Sequence, residues 1–177
     1  GDKTVLADVF YQRSFSNTVG DDDSFGGSIA FPNEPWAGEF SFKQIGANFF
    51  PALGFVNRTA IRAYNGSVDY VYRFENSFLR TLEFGTEHQF VTDLHDRLET
   101  RENQFSISVE TNAADEAEFD FGTFYEFVPA PFDIADTFIV PAGRYEWTAF
   151  EVSFETSDPR PLALGGQGTC CAFYQAR

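Results

Sequence analysis

GANFFPALGFVNRTAIRAYNGSVDYVYRFE, residues 46–75, decides the fold. It opens as a loop rich in Phe, Pro and Gly and ends in the cleanest alternation of the chain. Tyr64, Val68, Tyr70, Tyr72 and Phe74 fall on one parity, while Asn65, Ser67, Asp69, Arg73 and Glu75 fall on the other. Only Val71 breaks the rule. Side chains alternate across a strand, so the segment has an aromatic side and a polar side. A helical period would mix the two sets on every face, which makes this a strand.

The same period extends in both directions. Val5, Ala7, Val9 and Tyr11 share a parity, as do Phe25, Ile29 and Phe31, and then Phe40 and Phe42. Downstream, Leu82, Phe84 and Phe90 oppose Glu83, Glu87 and Gln89, and Phe105, Ile107 and Val109 oppose Ser106 and Ser108. Phe119, Phe121, Tyr125 and Phe127 oppose Glu118, Asp120 and Glu126, and Phe150, Val152 and Phe154 oppose Glu151 and Ser153. Tyr145 and Trp147 are out of phase with that last set, which predicts a bulge or bend near Thr148. A Gly-rich final segment runs from about 164 to 175. About nine strands result, in one domain over residues 1–177.

The links alternate in length. Those at 14–24, 46–63, 92–103 and 128–143 read as long, and those at 32–35, 75–77, 112–115 and 157–161 as short. An antiparallel up-and-down meander in a membrane sorts its links this way, with short turns on one side and long loops on the other, whereas a Greek-key sandwich does not. The expected fold is therefore an all-β meander forming part or all of an outer-membrane-type β-barrel. Aromatic residues near strand ends, Trp36, Tyr64, Phe127, Tyr145 and Trp147, suit interfacial girdles. An odd strand count leaves two edges, one carrying Val5, Ala7, Val9 and Tyr11 and the other Thr169, Cys171 and Phe173, and unpaired edges invite association.

Charge narrows the partners. The chain holds 27 acidic residues against 12 Lys and Arg, a formal net charge of −15, which argues against nucleic acid and against docking by charge on anionic lipid. Aromatic residues make up 18% and are interspersed with the acids, unlike a disordered acidic tail. There is no Met, so a processed chain or a part of a longer one is expected. No apolar run is long enough for a membrane-crossing helix, a criterion that does not bear on strands.

Chemistry is sparse. Asp21, Asp22 and Asp23 form the densest acidic cluster and read as a solvated loop, with calcium as the weaker alternative. His88 falls on the apolar parity, away from Asp93, His95 and Asp96, so these do not read as a metal cluster. Glu83 and Glu87 share a face, but strand rise separates their Cα atoms by ~13 Å, too far for a carboxylate pair acting on one glycosidic bond. No nucleophile elbow, phosphate loop or zinc spacing is present, so neither a catalytic residue nor a cofactor is expected. Cys170 and Cys171 are adjacent; strand neighbours point apart, which favours two free or separately used thiols.

Asn48, Phe50, Pro51, Leu53, Gly54, Phe55 and Arg58, followed by Tyr64-Asn65 and Leu82-Glu83-Phe84-Gly85, carry a resemblance. Thr92-Asp93-Leu94, Pro141-Ala142-Gly143-Arg144-Tyr145 and Arg160-Pro161-Leu162 extend it over most of the chain. The pattern is similar to an uncharacterised bacterial domain family found C-terminal to a family-9-type carbohydrate-binding module. That resemblance implies an outer-membrane β-barrel architecture and a location in the cell envelope, and it transfers no catalytic residue. The chain departs from the family in having no N-terminal carbohydrate-binding module and no family strands beyond Phe173-Tyr174.

Three functions fit. The first is a non-enzymatic outer-membrane barrel element with a scaffold or transport-associated role, whose partner is the lipid bilayer. The second is an extracellular fibre subunit, assembled with other copies through sheet edges. The third is a soluble β-sandwich that stacks exposed aromatic residues on carbohydrate.

Overall fold

The protein is described by a computed structural model over residues 4–51, 54, 56–135, 138–157 and 162–171. Its nine-stranded sheet consists of β1 (Leu6–Ser14), β2 (Asp22–Pro32), β3 (Trp36–Ile45), β4 (Ile61–Arg73), β5 (Leu79–Asp93), β6 (Leu98–Thr111), β7 (Glu116–Val128), β10 (Gly143–Glu155) and β11 (Gly165–Cys170). Every strand pairs antiparallel with its neighbours in this order. The remaining two strands, β8 (Phe132–Ala135) and β9 (Phe138–Val140), form a small hairpin within the link between β7 and β10. The described residues contain no helix. The nine-strand meander matches the alternation in the sequence; the sheet is open, with β1 and β11 at its edges.

Register assigns the faces. One cross-strand row joins Trp36, Tyr70, Phe84, Ile107, Phe119 and Val152. The row one residue along joins Asp69, Gly85, Ser106, Asp120 and Glu151 on the opposite face. Tyr70, Tyr72, Phe105, Ile107, Phe119 and Phe121 thus share the apolar face, and Asp69, Ser106, Ser108 and Asp120 share the polar one.

The apolar face is left uncovered. Val9 is 89% exposed, Ile107 43% and Phe154 51%, and all three lie on the apolar face. The buried clusters sit instead at the long-loop end of the polar face. Ile45, Ile61, Ala63 and Val91 are covered there by Phe49, with Val56 packed beside them. Val128 meets Val140 from the β8–β9 hairpin, with Tyr145 against them.

Several sequence expectations are corrected. Residues 92–103 are not a long link: β5 runs to Asp93 and β6 starts at Leu98, joined by a tight turn in which the Asp93 carboxylate accepts the backbone N–H groups of His95 and Arg97. No bulge lies near Thr148, because β10 pairs with β7 without a register shift, and the irregularities fall instead at Leu79/Thr81 and Val91/Thr92. Tyr145 and Trp147 are out of phase because they point to the polar face, where Trp147 stacks on Phe124 at 5.2 Å; they are not part of an outer girdle. Cys170 and Cys171 are joined in a disulfide. Strand alternation, which would have pointed them apart, ends at Cys170.

Candidate functional site

The polar face of β5, β6, β7, β10 and β11 is built as ladders. One row carries Glu83, Ser108, Glu118, Ser153 and Gln167, and the next carries Ser106, Asp120, Glu151 and Thr169. Glu87 and Glu102 lie further toward the loops on the same face. The first of these rows, with Ser106 of the second, lines an open cleft of about 770 Å³ near the short turns. By register, β5, β6, β7 and β10 place no Lys or Arg within these rows; Arg80 reaches Glu110 at the turn end at 2.8 Å, and Arg58 arrives from the loop end. Amide ladders continue the face across β3, β4 and β5, where Gln89 donates to Asn65 and Asn65 donates to Ser41.

The loop whose residues carry the family resemblance crosses this face as a strap. At one end the Asp22 carboxylate accepts the Asn48 N–H at 2.8 Å, and Ser14 Oγ on β1 accepts the Phe50 N–H at 3.0 Å. A Cβ at Gly46 would run into the Asp22 carboxylate, so a larger residue there displaces the group that holds the strap. Phe49, between these two and 6% exposed, packs the same end of the strap onto Ile45, Ile61 and Val91. At the other end Arg58 donates to Thr100 Oγ1 at 3.1 Å and to Glu99 at 2.6 Å, beside β6. The strap therefore runs from β1 and β2 to β6 and passes over β3, β4 and β5. Pro51 and Gly54 lie along it; Leu53 and Phe55 lie outside the described residues, as does the edge residue Phe173.

Asp21, Asp22 and Asp23 do not converge. Asp22 and Asp23 belong to β2, so their side chains take opposite faces. Asp22 holds the strap, while Asp23 accepts the Tyr11 hydroxyl at 2.9 Å and lies 3.8 Å from Arg13, with Asp21 3.9 Å from the same guanidinium. Among the described residues no group of three or more His, Cys, Asp or Glu side chains is arranged to hold a metal ion. His88 sits on the apolar face in a polar rung, with Nδ1 2.9 Å from Asn103 Oδ1, and Asn103 donates to Thr123 at 3.2 Å.

At the opposite end, the Arg73 guanidinium bonds both Glu34 oxygens at 2.8 and 2.6 Å, tying the β2–β3 turn to β4. That hydrogen bonding holds the Glu34 carboxyl below its usual range. The strap and this clamp went unread in the sequence, since their partners lie 26 to 42 residues apart and share no local pattern. Comparison with protein-family models, curated proteins and solved structures finds no match for the chain.

Proposed function

We propose that this sheet is the wall of a bacterial outer-membrane-type β-barrel. Its apolar face meets lipid, its acidic face lines a water-filled interior, and the strap and the β8–β9 link lie at the loop mouth. The role is non-enzymatic, a scaffold or transport-associated element of the cell envelope. One observation carries the reading: the apolar face is exposed across the whole meander, while the buried residues sit on the polar face or in the links that cover it. Leaving so much contiguous apolar surface in water is unfavourable, and lipid removes that penalty.

The shape of the apolar band supports lipid as the covering phase. The row through Ala7, Ile29 and Phe40 continues into Gly66, His88, Asn103, Thr123 and Thr148, leaving the apolar zone as it crosses the sheet. On β6 to β10 the zone is centred nearer the short turns, on the row of Ile107, Phe119 and Val152. A band oblique to its hydrogen-bond rows is what tilted strands produce when they cross a slab of fixed direction. On β4 the aromatic run from Tyr64 to Phe74 extends ~33 Å along the strand, or ~25 Å across the slab at a tilt near 40°. Beyond the band on the loop side stand Arg62, Arg101, Tyr125 and Glu146, with Arg101 5.8 Å over the Tyr125 ring, a composition suited to the interface. The family resemblance of the strap agrees with the same architecture and location.

The two tryptophans supply the test. Trp36 is on the apolar face, and Trp147 is on the polar face against Phe124. In vesicles of lipids brominated on the acyl chain, the Trp147→Phe protein (Trp36 remaining) is expected to be strongly quenched and the Trp36→Phe protein (Trp147 remaining) weakly. Equal quenching of the two, or a chain that stays in the aqueous phase, overturns the reading.

A further inference from the structure

Beneath the strap the polar face changes character. By register Phe10, Gly26 and Lys43 form one row across β1, β2 and β3, and Gln12, Ser24 and Ile45 form the row nearer the loops. Phe10 has the parity opposite to Val9 and Tyr11, so an aromatic ring stands on the polar face, 37% exposed. No other ring is stacked on it among the described residues. The ring lies over Gly26, where a Cβ would come within 2.9 Å of it.

A cavity of about 460 Å³ lies between the strap and this part of the sheet. Phe10, Phe49 and Val56 give it apolar walls, and Lys43, Gln12 and Asn57 give it polar ones. Its volume is that of a small-molecule pocket, and its lining is the usual kind, apolar with a few polar groups that fix orientation.

Charge singles out Lys43. Arg13, Arg58, Arg62, Arg97 and Arg101, at the same end of the sheet, each lie within salt-bridge distance of a carboxylate. Lys43 enters neither an ion pair nor a hydrogen bond among the described residues. β1 and β2 place Asp8 and Asp22 on this face, but Asp8 accepts the Ser28 hydroxyl and Asp22 accepts the Asn48 N–H. Arg58 also borders the cavity, with its charge balanced by Glu99. The cavity thus holds an uncompensated ammonium, with the Phe10 backbone ~10 Å away across β2. That spacing fits a ligand with a charged head and a flat apolar body. One lysine balances a carboxylate, whereas a phosphate dianion would keep an excess negative charge in an already acidic protein.

We propose that the cavity under the strap binds a small aromatic carboxylate, with Lys43 holding the charge, Gln12 and Asn57 offering amide N–H groups, and Phe10 packing on the body. The site lies within one chain and is independent of which phase covers the apolar face, so it goes beyond the barrel-wall reading and stands or falls separately. The probe is 2-naphthoate, with the neutral 2-naphthamide as control. Isothermal titration calorimetry on the folded chain measures both, with the same lipid or detergent lacking protein subtracted. Naphthoate is expected to bind at one site per chain, and naphthamide at least tenfold more weakly. Lys43→Gln is expected to weaken naphthoate at least tenfold and to leave naphthamide unchanged, while Lys43→Arg, which keeps the charge, retains naphthoate binding. Phe10→Ala is expected to weaken both ligands. Absence of naphthoate binding, equal affinity for acid and amide, or equal affinity of the parent and Lys43→Gln for naphthoate overturns the proposal.

Discussion

Ile107 and Ser106 are neighbours on β6 that meet opposite surroundings, Ile107 in the row of Phe84 and Phe119 and Ser106 in the row of Gly85 and Asp120. An arginine introduced at each position separates the two faces. Ile107→Arg is expected to destabilise the inserted protein by ~2–4 kcal/mol, the range for a cation near the lipid midplane. Ser106→Arg places its charge among carboxylates and is expected to cost far less; urea titration in vesicles measures both, and equal losses would remove the distinction. Glu34 gives a pH prediction at the same scale. Its carboxyl titrates below the ordinary value when Arg73 is bonded to it. The clamp therefore contributes fully above the unfolded carboxyl value of ~4.3 and is lost as pH falls through the lowered one. Trp36 begins β3 two residues beyond Glu34, so its emission in the Trp147→Phe protein reports the step. Glu34→Gln is expected to abolish that acid-side change, and an unchanged curve would show that the clamp does not govern this turn.

Among the elements, the strap is the one whose role was least readable. Its Phe-, Pro- and Gly-rich composition marks residues 46–60 as a loop, but the direction in which a loop folds is set by what it meets. Ser14, Asp22, Glu99 and Thr100 are distant in sequence and unremarkable where they stand. Asp22 was further disguised by its neighbours, since three consecutive aspartates with poor strand propensity look like a loop. The strands themselves were legible because period two acts within each segment and needs no distant partner. The rule failed for Tyr145 and Trp147, where the β8–β9 link roofs part of the polar face and makes that face locally apolar. Asp22→Ala is expected to free the Asn48 end of the strap, with a local loss of about 1–2 kcal/mol. Hydrogen exchange at Asn48 and Phe50 should accelerate about tenfold while β6 and β7 amides hold their protection. If the whole sheet loosened in step, the strap would be part of the global fold and not a separately docked element.

For the whole molecule, the sequence carried the nine strands of the large sheet and their order, because a meander pairs each strand with the next, but not the β8–β9 hairpin, which lies within a link read as a loop. It did not carry which face collects the buried residues. Alternation gives the same pattern when water lies on the polar side as when lipid lies on the apolar side. The difference lies in exposure: Val9, Phe84, Ile107 and Val152 are open on one face while Ile45, Ile61 and Val91 are closed on the other. The obliquity of the apolar band was likewise hidden, since it depends on register between strands.

The meander also has a consequence in time. In the nine-stranded sheet each strand pairs with the next strand of that sheet, so the chain can zip hairpin by hairpin, and only the β3–β4 and β7–β10 pairings first close a long link. The strap contacts are different, joining Ser14 to Phe50 across 36 residues and Arg58 to Thr100 across 42. The first needs β1 to β3 in place and the second β4 to β6, so the strap is tied at both ends only once β1 to β6 stand side by side. Their arrival is a clock for the sheet, with the burial of Phe49 marking the docking of β3, β4 and β5 and the Arg58 bonds the arrival of β6.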